Sequence, residues 1–195
     1  MFFQDYQNTG WIYHIIHITN LKKTLTEGIH YNDKISYENH YEKFHDFIDS
    51  LKTKNIPPWV IRKKAIFATI NYRDNPCFHS HTAVLALKAD KSKCWVANEN
   101  RANQIYEPFI LKEMEEFKGA KDYLNTKGRN LIKEYWETSL SFEDNIKERR
   151  DLVKGYDAEV MIFDSIPPED IQLLYLTSDH RTLTVKEWKK IFCGE

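Results

Sequence analysis

The chain has 195 residues, 42% hydrophobic and 14% aromatic, which is enough apolar material for a substantial packed core and excludes a disordered chain. Its 28 Lys and Arg against 29 Asp and Glu leave a formal net charge of −1, so no global field attracts polyanions. Three cysteines without ligand-like spacing, Cys77, Cys94 and Cys193, exclude a disulfide scaffold and fit a reducing compartment.

Trp11 to Ile16, rich in aromatic and β-branched residues, reads as a strand. Thr19 or Asn20 can cap a short helix that Gly28 closes. Tyr37, Tyr41, Phe44, Phe47, Ile48 and Leu51 recur at helical spacing and predict an amphipathic helix over 37–53, ended by Pro57-Pro58. Strands are expected at 65–71, 83–89 and 94–97. A mainly helical segment then runs from about 100 to 154, where Ser141-Phe142-Glu143-Asp144 opens a basic helix over 142–154. Strands return at 158–164 and 171–177, and Thr184 to Glu187 fits a capping box for a final helix through Phe192. Strands and helices without regular alternation predict a single α+β domain over 1–195.

No apolar run approaches ~18 residues, so no membrane span is expected. The opening Met1-Phe2-Phe3-Gln4-Asp5 lacks the basic region and cleavage site of a signal peptide, and a cytoplasmic location is expected.

Few residues stand out for chemistry. Glu159 lies in Ala158-Glu159-Val160-Met161-Ile162-Phe163, a lone carboxylate in an apolar strand. A buried carboxylate needs donors or cations around it, so Glu159 either lies on an exposed edge strand or points into a cleft. His14 and His17 lie three apart where the first strand meets a helix. His14 either faces a cleft or is an ordinary half-buried histidine. No matching ligand pair follows them, so zinc is not expected, and neither a phosphate-cradling glycine loop nor a GxSxG nucleophile motif occurs. Lys147 to Lys154, with Arg149 and Arg150, is the best local basic patch and equally a solvated helix face.

These blocks resemble the DarT family of ADP-ribosyltransferase toxins. The resemblance runs through Tyr13-His14-Ile15-Ile16-His17-Ile18-Thr19-Asn20-Leu21, then Cys94-Trp95-Val96-Ala97-Asn98 to Ala102. It is strongest at Glu148-Arg149-Arg150, Asp157-Ala158-Glu159-Val160-Met161-Ile162 and Ile166-Pro167-Pro168-Glu169-Asp170-Ile171. It covers about a third of the chain, in the family's order.

The resemblance implies an ADP-ribosyltransferase-like fold, with NAD as co-substrate in a cleft between two small sheets and no metal. Glu159 would be the catalytic glutamate and His14 an NAD contact, with Ile16 and Asn20 beside it. Ile16 departs from the threonine usual in the family. Arg73 is the preferred catalytic arginine and Arg62 the second choice. Tyr72 either stacks on nicotinamide or is a core or edge tyrosine, and Asn98 and Arg101 would line the acceptor side. The implied activity is toxin-like transfer of ADP-ribose to a base of single-stranded DNA or RNA, reversed by a macrodomain antitoxin. A protein acceptor, an NAD glycohydrolase and a non-catalytic binding module remain open.

Overall fold

The strand signals spread along the chain converge on one sheet. A computed structural model describes residues 3–30, 39–71, 78–179 and 181–194. In chain order the elements begin with α1 (Tyr6–Thr9), β1 (Ile12–His17), α2 (Leu21–Glu27), α3 (Asn39–Ser50), β2 (Ile66–Thr69), β3 (Thr82–Leu87), β4 (Cys94–Asn98) and α4 (Glu99–Leu111). They continue with α5 (Gly119–Tyr123), α6 (Arg129–Glu137), β5 (Leu140–Ser141), α7 (Phe142–Glu148), β6 (Ala158–Ile162), β7 (Ile171–Ser178), β8 (Arg181–Thr184) and α8 (Val185–Phe192).

Eight strands form a single sheet in the order β5-β4-β6-β2-β1-β3-β7-β8, and each described pairing is antiparallel. The α+β expectation holds in this coarse form, whereas the two small sheets are corrected to one sheet with a narrow waist. At the waist β1 and β2 share a single register pair, Tyr13↔Thr69, while β1 follows β3 from Ile12↔Leu87 to His17↔Thr82. Beyond that pair a side chain joins the two strands, because His14 Nδ1 lies 2.6 Å from the Phe67 carbonyl oxygen.

Strand alternation divides the core between the two faces. On one face Trp95, Ala97 and Met161 pack with Phe44 and Ile48 of α3, Ile105 and Phe109 of α4, and Ile132, Tyr135 and Trp136 of α6. On the other, Ile66, Val96, Val160 and Ile162 pack with Ile12, Tyr6, Phe142 and Ile166. A third cluster gathers Phe3, Tyr13, Phe78, Val84 and Ala86.

Local chemistry sets the element ends. Gly28 closes α2 at φ 87°, where an added Cβ would lie 2.4 Å from the Ile166 carbonyl oxygen. Only glycine fits there, and Ile29 bridges to Ile166 beside it. Asn20 occupies the cap position of α2 without a side-chain cap bond; instead His17 accepts from the Thr19 amide one turn earlier. The predicted basic helix over 142–154 is shorter, because Arg149 adopts the left-handed conformation at φ 55° and stops α7 at Glu148. At α8 the capping box between Thr184 and Glu187 is present in both directions.

Among the described residues, no helix is long and apolar enough to cross a membrane.

Candidate active site around Glu159

β6 is hydrogen-bonded on one side to β4 and on the other to β2, so Glu159 stands on an interior strand and the edge-strand alternative is overturned. The register row Tyr13↔Thr69, Thr69↔Glu159, Glu159↔Ala97 places these four side chains on the face covered by α3, α4 and α6. Glu159 is 4% exposed there.

A carboxylate so buried requires compensation, and three side chains from different elements build it. Arg62 Nη2 donates to Glu159 Oε1 at 3.2 Å and Oε2 at 2.9 Å. The Tyr135 hydroxyl donates to Oε1 at 2.5 Å and accepts from Arg62 Nε at 3.1 Å. Arg62 Nη1 donates to His45 Nδ1, which sets that ring's tautomer with its proton on Nε2. Burial, the largest single influence, would lower the Arg62 pKa, but Glu159, Tyr135 and Tyr41 together outweigh it and hold the guanidinium charged. Burial first, and Glu159 second, raise the Tyr135 phenol well above its ordinary range.

The position of Arg62 follows from the chain just after α3. Asp49 Oδ1 accepts from the Arg62 amide at 2.9 Å and its Oδ2 from the Lys63 amide at 3.0 Å, docking the 3-10 turn Arg62–Lys64 onto α3. The Phe67 ring covers the guanidinium at 4.6 Å from its centroid and stacks on His45 at 5.3 Å.

A cavity of about 420 Å³ opens over this group, within the size range of small-molecule sites. β1 and β2 supply Tyr13, Ile15, Phe67 and Thr69 as its floor, and α3 supplies Tyr41 and Phe44 as one wall. α4 contributes Glu99, Asn103 and Tyr106, with Asp157 completing the lining. The aromatic walls and the two carboxylates of Glu99 and Asp157, beyond the paired Glu159, suit a flat cationic ring. Burial first, then the neighbouring Glu159 and Asp157 charges, push the Glu99 carboxyl up to about 7.

Of the residues singled out in the sequence, Glu159 and Arg62 are brought together. Arg73 and Tyr72 lie outside the described residues, as does Cys77. His14 does not line the cavity: its neighbours Tyr13 and Ile15 do, while Ile16, on the face of β1 that His14 shares, packs into the opposite core. The His14 imidazole stands in the waist instead, bonded to the Phe67 carbonyl. Because a carbonyl only accepts, Nδ1 carries the proton, and burial lowers the pKa and favours the neutral ring. Asn20 is exposed and not among the lining residues.

Asn98 and Arg101 take structural roles away from the cavity. Asn98 is buried, caps α4 and accepts from the Asp157 amide at 3.1 Å, while Arg101 pairs with Glu134 at 2.7 Å. Within the basic stretch Arg149 turns inward to Asp5 and Asp151, whereas Arg150 pairs with Glu148 and Lys147 with Asp144 on the surface.

Tyr135, His45, Glu99 and Asn103 carried no signal of their own. Glu99, Asn103 and Tyr106 fall at i, i+4 and i+7 on α4, a stripe that its helical period could have revealed.

No protein-family model, curated protein or solved structure matches the chain.

Proposed function

We propose that the protein is an NAD-dependent ADP-ribosyltransferase that modifies a base of single-stranded DNA or RNA, with Glu159 at the reacting centre. The observation that carries the reading is the buried Glu159 carboxylate, held by Arg62 and Tyr135 at the base of an aromatic-walled cavity. The DarT resemblance, which includes Glu159, supplies the ADP-ribosyltransferase-like fold, the acceptor class and a macrodomain antitoxin as the expected partner. The sheet's waist beside the cavity is compatible with a cleft between two sheet halves.

The lining fits the substrate. The nicotinamide ring of NAD is a flat cation, and Tyr41, Phe44 and Tyr106 offer ring faces while Asp157 and Glu99 offer negative charge. Bound NAD supplies the glycosidic bond whose cleavage leaves positive charge on the ribose, as in glycoside hydrolysis. Glu159, already fixed by two donors, stabilises that charge without reorganising. Arg62 keeps Glu159 aimed, and Tyr135 holds one oxygen so that the other faces a ribose hydroxyl. His14 acts through Phe67: its bond to the carbonyl sets the strand whose ring covers Arg62. Arg62, the second choice from the sequence, is the arginine we place at this centre, while Arg73 lies outside the described residues.

The test is incubation with labelled NAD and single-stranded DNA, RNA or no acceptor. Label on the oligonucleotide supports transfer, free ADP-ribose alone identifies a glycohydrolase, and intact NAD throughout identifies a binding module.

A further inference from the structure

Two carboxylates in the cavity have opposite surroundings. Glu159 is fixed by Arg62 and Tyr135, its Oε1 accepting from both and its Oε2 from Arg62, which suits it to stabilise charge from a set position. Glu99, at the first position of α4, has Asn103 as its hydrogen-bond partner and faces the same cavity. Its backbone is pinned, because its amide donates to the Asp157 carbonyl oxygen at 2.7 Å and Asn98 caps the helix just before it.

Resting on the transferase reading, we infer that Glu99 is the catalytic base that accepts the proton of the acceptor, and that the acceptor is a neutral N–H or O–H group entering over α4. The acceptor's lone pair forms a bond to ribose C1′ as the C1′–nicotinamide nitrogen bond breaks. The bonding electrons leave with nicotinamide, which departs neutral, and the acceptor's proton passes to the Glu99 carboxylate. No further reactant is required. Two different carboxylates thus divide the work, Glu159 stabilising charge on the sugar and Glu99 removing the proton.

The groups facing Glu99 set its behaviour. Glu159 from β6 and Asp157 before it disfavour the ionised form, Arg62 favours it, and Tyr41 of α3 stands within electrostatic reach. Near pH 7 the carboxyl is therefore divided between both states, which suits a base that accepts a proton and releases it again.

The experiment follows transfer to single-stranded oligonucleotides from pH 5 to 9 in the parent, Glu99→Gln and Glu99→Asp, with ¹³C NMR of the glutamate carboxyls. The parent should show a rate that climbs through neutrality and a carboxyl titrating near 7. In Glu99→Gln that carboxyl signal should vanish and the rate at pH 8 fall about 100-fold with the climb gone, while Glu99→Asp keeps the climb at a reduced rate. Circular dichroism reports that the variants fold. Parent transfer with an unchanged climb in Glu99→Gln, or a climb lost in Asp157→Asn alone, overturns this inference and leaves the transferase reading intact. A parent that transfers nothing overturns both.

Discussion

Arg62 and Glu159 stand 97 residues apart in sequence and meet at 2.9 Å at the base of the cavity, where both side chains are almost fully buried. The pair is therefore a commitment of the fold as well as a candidate piece of catalytic machinery. Removing one member of a buried pair strands the other charge, whereas removing both leaves an apolar contact. Arg62→Met and Glu159→Met should each lower unfolding stability by about 3–5 kcal/mol. The double variant should lose far less than the sum, as read from urea denaturation of all four proteins. Additive losses would mean that the two side chains do not depend on each other.

Tyr135 extends the same group, donating to Glu159 and accepting from Arg62. Tyr135→Phe keeps the ring that packs beside Trp136 and removes the hydroxyl's bonds to Glu159, Arg62 and the Met161 sulfur. It should cost about 1–3 kcal/mol, the penalty for leaving buried polar partners unsatisfied. Denaturation midpoints check the value, and an unchanged midpoint would argue that the hydroxyl is dispensable.

Much of the fold was legible because its signals are local. The capping box at Thr184 and Glu187, the glycine at 28 and the strand at Ala158 each depend on neighbours in sequence. Glu159 was legible because one carboxylate in an apolar strand must be accounted for. Arg62 is harder to place: it begins the run Arg62-Lys63-Lys64, and its inward turn depends on Asp49 docking that turn onto α3 and on Glu159 and Tyr135, distant in sequence, receiving the guanidinium. Tyr135 reads as one more apolar position among Leu131, Ile132 and Trp136 until β6 is laid beside α6. Of the two alternatives that the sequence leaves open for His14, a cleft residue or an ordinary half-buried histidine, the Tyr13↔Thr69 register favours the second, because it assigns the cavity face to Tyr13 and Ile15. Register across the sheet is a long-range property that a single strand does not encode.

Glu99 gives a pH dependence of stability that requires no substrate. Burial and nearby negative charge push its carboxyl up to about 7 in the folded protein, above the ordinary carboxyl range of the unfolded chain. A raised folded-state pKa means that the unfolded chain gives up this proton first. The contribution to stability is therefore complete below the ordinary range and is lost as pH rises through 7. Glu99→Gln should be more stable than its parent by about 3 kcal/mol at pH 8, shrinking to less than about 1 kcal/mol at pH 5. Urea midpoints at both pH values measure it, and an equal gap at both would contradict the assignment.

His14 should be neutral at pH 7 with its proton on Nδ1, because burial lowers its pKa and Nδ1 faces a carbonyl. ¹⁵N NMR of the imidazole should show a protonated Nδ1 and an unprotonated Nε2. A proton on Nε2 instead would mean that the waist between β1 and β2 is held some other way. His14→Ala should loosen Phe67 over Arg62, so that NAD affinity falls through the cavity wall even without direct contact.

The most direct measurement compares nicotinamide release and NAD affinity in the parent and Glu159→Gln. Stabilisation of developing charge on the ribose acts on turnover more than on binding. Release should be abolished in a folded Glu159→Gln protein while its calorimetric Kd for NAD stays within about several-fold of the parent. Undiminished release by Glu159→Gln would contradict the account and place any NAD chemistry elsewhere in the molecule.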